Sequence, residues 1–108
     1  MCSSDLNNVG LAIDSFQREL AINRNSIAAL NGLAVAYDRL GRKDVAQRYL
    51  DLALTLEPNS IVTLNNLAYL NVTRGDSTVA TAYAERAHEA ILRASDTQVS
   101  SEIGRAHV

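Results

Sequence analysis

The stretch Ile27–Ser60, IAALNGLAVAYDRLGRKDVAQRYLDLALTLEPNS, decides the fold. It is 34 residues long, and the following 34 residues repeat its plan. Leu30 recurs as Leu64, Leu33 as Leu67, Ala34 as Ala68, Gly41 as Gly75, Ala46 as Ala80 and Ala53 as Ala87. A fixed period of this size marks a helical repeat: one helical pair cannot bury its apolar face alone, and stacking neighbours makes a continuous core.

Local signals divide the stretch. Ser26 is placed to cap a helix over Ile27–Leu40, its hydroxyl accepting an otherwise orphaned backbone N–H. Gly41-Arg42 ends that helix, because glycine enters the positive-φ region at low cost. Lys43 or Asp44 opens the next helix, which Pro58 stops near Leu56. Asn59-Ser60 turns the chain, and Ser60 caps a helix over Ile61–Thr73. Gly75-Asp76 repeats the first turn. Ser77 is expected to cap a last helix ending at Arg93 or Ala94, with residues 95–101 a polar, frayed tail.

Upstream, Val9, Ala12, Ile13, Phe16 and Leu20 have the spacing of one helix face, and the polar residues near Asn23 stop it. Ala12 lies one period before Ala46 and Phe16 one period before Leu50. Residues 7–26 therefore read as the second helix of a truncated repeat, 27–60 as a complete repeat and 61–94 as a complete but drifting one. The expectation is an all-α helix-turn-helix solenoid of five helices, with antiparallel neighbours joined by short loops. The face around Val9 and Phe16 lacks the partner helix that a complete repeat supplies.

The ends read differently. MCSSDL and the segment Ile103–His107 can be encoded by strings that are reverse complements of each other, the pattern of a sequencing adapter read at both ends of a fragment. Residues 1–6 and 102–108 are expected to be non-native, and Cys2 and His107 carry no functional weight.

Composition narrows the function classes. Apolar residues make up 47% of the chain, enough for a core, and the net charge is −2. No basic stripe suggests nucleic acid, and no apolar run approaches the roughly 18 residues of a membrane span. GxSxG, HExxH, P-loop and GxGxxG motifs are absent, so no enzyme and no cofactor are expected. His88, with Glu85 and Glu89 near it, offers too few ligands for a structural zinc site. Asp38 and Asp44 read as surface or cap residues.

The chain resembles the tetratricopeptide repeat family. The residues that carry the resemblance in the first repeat are Leu30, Leu33, Ala34, Tyr37, Gly41, Ala46, Leu50, Ala53 and Pro58. The second repeat supplies Leu64, Leu67, Ala68, Gly75, Ala80, Ala84 and Ala87, and departs at Asn71, where Tyr is usual, and at Leu92, where Pro is usual; the second departure implies that the last helix runs on. In the leading half-repeat Glu19 and Arg24 depart. The resemblance implies a solenoid whose first helices line a concave groove for a protein or peptide partner. The groove positions are Ala28, Asn31, Val35, Asp38 and Arg39, then Val62, Asn65, Tyr69, Val72 and Thr73. Steps of three and four keep such residues on one helix face. Asn31, Val35, Asp38, Arg39, Asn65, Tyr69 and Val72 are the expected binding residues. Asn31 and Asn65 would offer carboxamides to a partner's backbone, and Tyr69 a large contact that loses little entropy on binding. Arg39 is the only groove cation, so capture of a peptide carboxylate is not expected.

Alternative roles are a structural spacer stacked on neighbouring repeats of a longer chain, or a regulatory module of a larger enzyme. The phrases NGLAVAYDRLGRKDVAQ and LNNLAYLNVTRGD also resemble the tetratricopeptide proteins of bacterial Tad/Flp pilus assembly. That resemblance implies a periplasmic or outer-membrane-associated setting; without it a cytoplasmic one is expected.

Overall fold

The computed structural model describes the backbone of residues 2–106 and the side chains of residues 8–95. Among the described residues there are five helices and no strands: α1 (Cys2–Ile22), α2 (Ile27–Arg39), α3 (Lys43–Leu56), α4 (Ile61–Thr73) and α5 (Ser77–Ala106). They pack as antiparallel pairs, α2 against α3 and α4 against α5, with α1 on α2 and α4 bridging α2 and α3.

The turns are built twice from the same parts. Ser26 and Ser60 sit in extended backbone before α2 and α4, and their hydroxyls accept the N–H groups of Ala29 and Thr63 at 3.2 and 3.3 Å. Gly41 and Gly75 have φ of 79° and 87°, the left-handed conformation that a side chain would strain. Around each glycine a pair of hydrogen bonds closes the helix end. Arg42 N donates to Tyr37 O and Gly41 N to Asp38 O, as Asp76 N does to Asn71 O and Gly75 N to Val72 O. These are Schellman closures, which satisfy carbonyls that the helix leaves unpaired.

The core runs along the seam between pairs. Leu30, Leu33, Ala53 and Leu67 are fully buried, with Ala34, Ala46, Leu50, Leu64 and Leu70 nearly so. Alanine at 34, 46 and 53 lets the helices approach closely, and a larger side chain there would overpack. Tyr37 and Tyr49 are half-buried against this core and stack on each other, with centroids 5.8 Å apart and planes 18° apart.

Three boundaries differ from the sequence reading. Helix α5 does not end at Arg93 or Ala94 but continues through the expected polar tail to Ala106. Leu92 stands where the first repeat has Pro58, and no proline interrupts the backbone hydrogen bonds beyond it. Ser77 is the first residue of α5, so the capping position falls on Asp76, whose carbonyl accepts from Ala80 N at 2.9 Å. Helix α1 begins at Cys2, ahead of the expected start. The side chains of the two segments expected to be non-native, Cys2 included, lie outside the described residues, and so does His107 altogether.

Candidate protein-binding face

The first helices, α2 and α4, lie side by side, and a chain of buried polar groups holds them there. Asn66 Nδ2 donates to Asn31 Oδ1 at 2.9 Å, and Asn31 Nδ2 donates to Thr63 Oγ1 at 2.8 Å. Thr63 Oγ1 in turn donates to Ser60 Oγ at 2.9 Å. Asn31 Nδ2 also reaches Ile27 O at 3.0 Å. Asn31 is 5% exposed and Thr63 is fully buried. Among the described residues no buried side-chain polar atom lacks a partner, as low-dielectric surroundings require.

This placement corrects the expectation for Asn31. Its carboxamide does not face a partner; both nitrogen and oxygen are engaged inside the molecule. Asn65, one period later, is exposed. The two differ because Thr63 and Asn66 stand beside Asn31, whereas the residues one period beyond those, Thr97 and Ser100, belong to the continuation of α5. Thr63 and Asn66 were missed by sequence reasoning. The adjacent asparagines of LNNL were the available signal, but only the fold shows which one turns inward.

The remaining candidates are on the surface. Tyr69 is 65% exposed, Val72 62%, Val62 61% and Val35 43%, so four large apolar side chains stand in solvent on α2 and α4. Arg39 is exposed and Asp38 half-buried. Asp38 accepts from Lys43 Nζ at 2.7 Å, and the same ammonium reaches Thr73 Oγ1 at 3.1 Å, which ties α2, α3 and α4 together at one end. The acid therefore has a structural partner before any ligand arrives. His88 is exposed on α5, where it lines a shallow depression with Glu85 and Glu89. Among the described residues no three His, Cys, Asp or Glu side chains converge as metal ligands would.

Two hollows flank this face. One, about 410 Å³, opens between α1, α2 and α4 and is lined by Val9, Phe16, Gly32, Val35, Arg39 and Val62 among others. The other, about 30 Å³, lies between α2, α3 and α4. Gly32 is required at the first, because a Cβ there would collide with the Phe16 ring.

The family profile described as tetratricopeptide repeat matches residues 27–60. The match covers 34 of the chain's 108 residues. The tetratricopeptide-like solenoid extends beyond it. A solved structure titled "Crystal structure of MamA" superposes with a TM-score of 0.76 at 24% identity, over 82% of this chain and 52% of that one. "MamA MSR-1 C2" gives 0.73 at 27% identity, over 83% of this chain and 52% of that one. "Crystal structure of MamA protein" gives 0.71 at 24%, over 82% and 48%. The chain thus spans about half the length of these solved proteins. No curated protein matches it.

Proposed function

We propose that the chain is a non-enzymatic protein-interaction module whose α2–α4 face receives a segment of another protein. The observation that carries this reading is the row of exposed apolar side chains, Val35, Val62, Tyr69 and Val72, on helices otherwise rigidly bracketed. Exposed apolar residues are ordinary singly, but gathered on one face they indicate a contact surface. Tyr69 supplies an amphipathic anchor, and the exposed carboxamide of Asn65 can donate and accept at its side. Asp38 and Arg39 give the end of the face polar character.

The test is selection of peptides from a displayed random library on the purified chain. Binding of the enriched peptides should fall at least about tenfold in a Tyr69→Ala/Val72→Ala double variant, as loss of a central aromatic anchor implies. It should be unchanged by Ile91→Ala on α5. Peptides that bind the double variant as well as the parent chain would remove this face from consideration.

A setting in bacterial pilus or envelope assembly draws its support from the two Tad/Flp-like phrases on α2–α3 and α4. Deleting the encoding gene should then abolish surface pili; normal piliation would discard that setting while leaving the binding face untouched.

A further inference from the structure

The small hollow between α2, α3 and α4 opens onto the face that carries Val35 and Tyr69, both exposed at its rim. Its floor is Ala34, Ala46, Leu50 and Leu70, all buried. The two alanines leave the space, each giving one methyl group where a longer side chain would close the gap. The volume is about 30 Å³. That is close to one water molecule's share of the liquid and far below the roughly 150 Å³ of a cavity that takes benzene. A methyl group or the tip of a valine fits, and an aromatic ring does not. Water is a poor occupant, because it needs roughly two to four polar partners and the floor offers none.

Polar bonds hold the walls at a fixed separation. Asn66, on the rim, is bonded to Asn31 across the α2–α4 contact at 2.9 Å. Asp38, also on the rim, holds Lys43 at 2.7 Å, and Lys43 reaches Thr73 of α4 at 3.1 Å. Gln47 and Asn71, the chain neighbours of Ala46 and Leu70, join α3 to α4 at 3.4 Å. Widening the hollow would break these bonds and leave the buried Asn31 oxygen without its donor, which is costly away from water. Charge narrows the occupant as well. Asp38 is the only charged side chain in the lining, and Lys43 already neutralises it. A cation would have to displace the lysine, and an anion would meet the carboxylate. Either would sit over an apolar floor with no partner of its own.

We propose that this hollow is a socket for one short, uncharged aliphatic side chain, alanine- or valine-sized, of the protein segment that the α2–α4 face receives. The inference rests on that reading of the face and adds a size limit at one position of the segment. Val35 and Tyr69 flank the residue that enters. A methyl group there gains burial, glycine leaves the space empty, and leucine or phenylalanine cannot enter without parting α2 from α4. Ala46 is the specificity-determining residue, because its methyl group sets the depth.

Two probes test it. The first is dissolved methane, the smallest aliphatic guest, which needs no peptide. In the chain labelled with 13C at its alanine and leucine methyl groups, nuclear Overhauser contacts from methane to Ala34, Leu50 and Leu70 are expected. Absence of these contacts, or contacts from water in their place, would overturn the proposal. The second probe is a peptide enriched on the chain from the displayed library, resynthesised with glycine, alanine, valine, leucine or phenylalanine at each position in turn. One position should prefer alanine or valine. Glycine there should weaken binding about fourfold, the effect of one methyl group no longer removed from water. Leucine or phenylalanine should weaken it at least about tenfold by overpacking. Ala46→Gly in the chain deepens the socket, so it should recover most of the loss for leucine while phenylalanine stays excluded; an unchanged helical spectrum will show that the variant folds. Val62→Ala/Val72→Ala alters the face outside the socket, and should weaken every peptide alike while the preference for a small residue persists. Peptides that bind this double variant as well as the parent chain, or a selection that enriches none, would remove the face and the socket together. Peptides that need Val62 and Val72 yet show no position preferring a small side chain, or an unchanged leucine penalty in the folded Ala46→Gly chain, would overturn the socket alone.

Discussion

The repeat at 27–60 and the one at 61–94 share a plan but not an environment, and they diverge where their environments do. Positions that face inward within a pair are alike in both. Leu30 and Leu64, Leu33 and Leu67, Ala46 and Ala80, Ala53 and Ala87 are all buried. Positions that face the following pair are not. Leu50 is buried against Leu67 and Leu70 of α4, whereas its counterpart Ala84 is exposed. Leu54 packs half-buried in the second cluster, whereas its counterpart His88 is exposed. A side chain with a neighbour to fill is large and apolar; the same position without one is small or polar. The period in the sequence is thus two periods, one for closing a helical pair and one for stacking pairs.

Exchanging residues between the repeats tests this separation directly. The largest effect should come from Leu50→Ala, which gives the first repeat the residue of the second. Removing a leucine that is 2% exposed should cost about 2–5 kcal/mol, combining lost burial with a cavity between α3 and α4. The reciprocal Ala84→Leu should stay within about 0.5 kcal/mol, because it adds to solvent-exposed surface. Denaturant titrations of both variants check the pair. Equal effects in the two directions would mean that the stacking period does not exist.

A smaller effect is expected at the aromatic position. Tyr37 stacks on Tyr49, while its counterpart Asn71 is 4% exposed and donates to Leu67 O at 2.8 Å and Gln47 Oε1 at 3.4 Å. Asn71 is therefore a polar bracket between α4 and α3, not a defect. Tyr37→Asn should cost about 1–3 kcal/mol, because the residue one period before Gln47 is Ile13, which cannot accept the amide's second hydrogen bond. Adding Ile13→Gln should restore part of that loss, a non-additivity expected of contacting side chains. A double variant whose cost is the simple sum of its parts would show that the two introduced amides do not reproduce the Asn71–Gln47 bracket.

The same distinction explains what could be read without coordinates. Caps and turns were legible because Ser26, Ser60, Gly41 and Gly75 act on backbone within a few residues of themselves. The buried leucines and alanines were legible because the period marks them twice. Asn31 was misplaced because its burial is decided by Thr63 and Asn66, 32 and 35 positions away. Identical positions were assumed to have identical exposure, and that fails at the edge of a stack. The course of α5 was half legible: the missing proline at Leu92 implied a helix that runs on, as it does, whereas the polar residues beyond it suggested a frayed end, and polarity alone does not stop a helix.

The smallest effect should appear where the second helices begin. Helix α3 has Arg42 at its capping position with no side-chain hydrogen bond to the backbone, and carries Asp44 in its first turn. Helix α5 has Thr78 at that place and no acid in its first turn. The Val45 N–H holds the Asp44 carboxyl below its ordinary value near 3.8, with the neighbouring Arg42 guanidinium pulling the same way. An anion at a helix N-terminus is favoured by the unpaired N–H groups and the helix dipole. Because the folded value lies below the unfolded one, Asp44 stabilises the fold fully above the unfolded value, and this contribution disappears as pH falls through the folded value. Asp44→Thr and the near-isosteric Asp44→Asn should therefore both melt slightly below the parent chain at neutral pH and low salt. The gap should narrow with added salt, since the carboxylate and guanidinium are in solvent, and close at a pH well under 3.8. Thermal melts across that range check it. A gap that persists in acid would assign the effect to helix propensity or packing at position 44, and would leave the two second helices distinguished by their stacking faces alone.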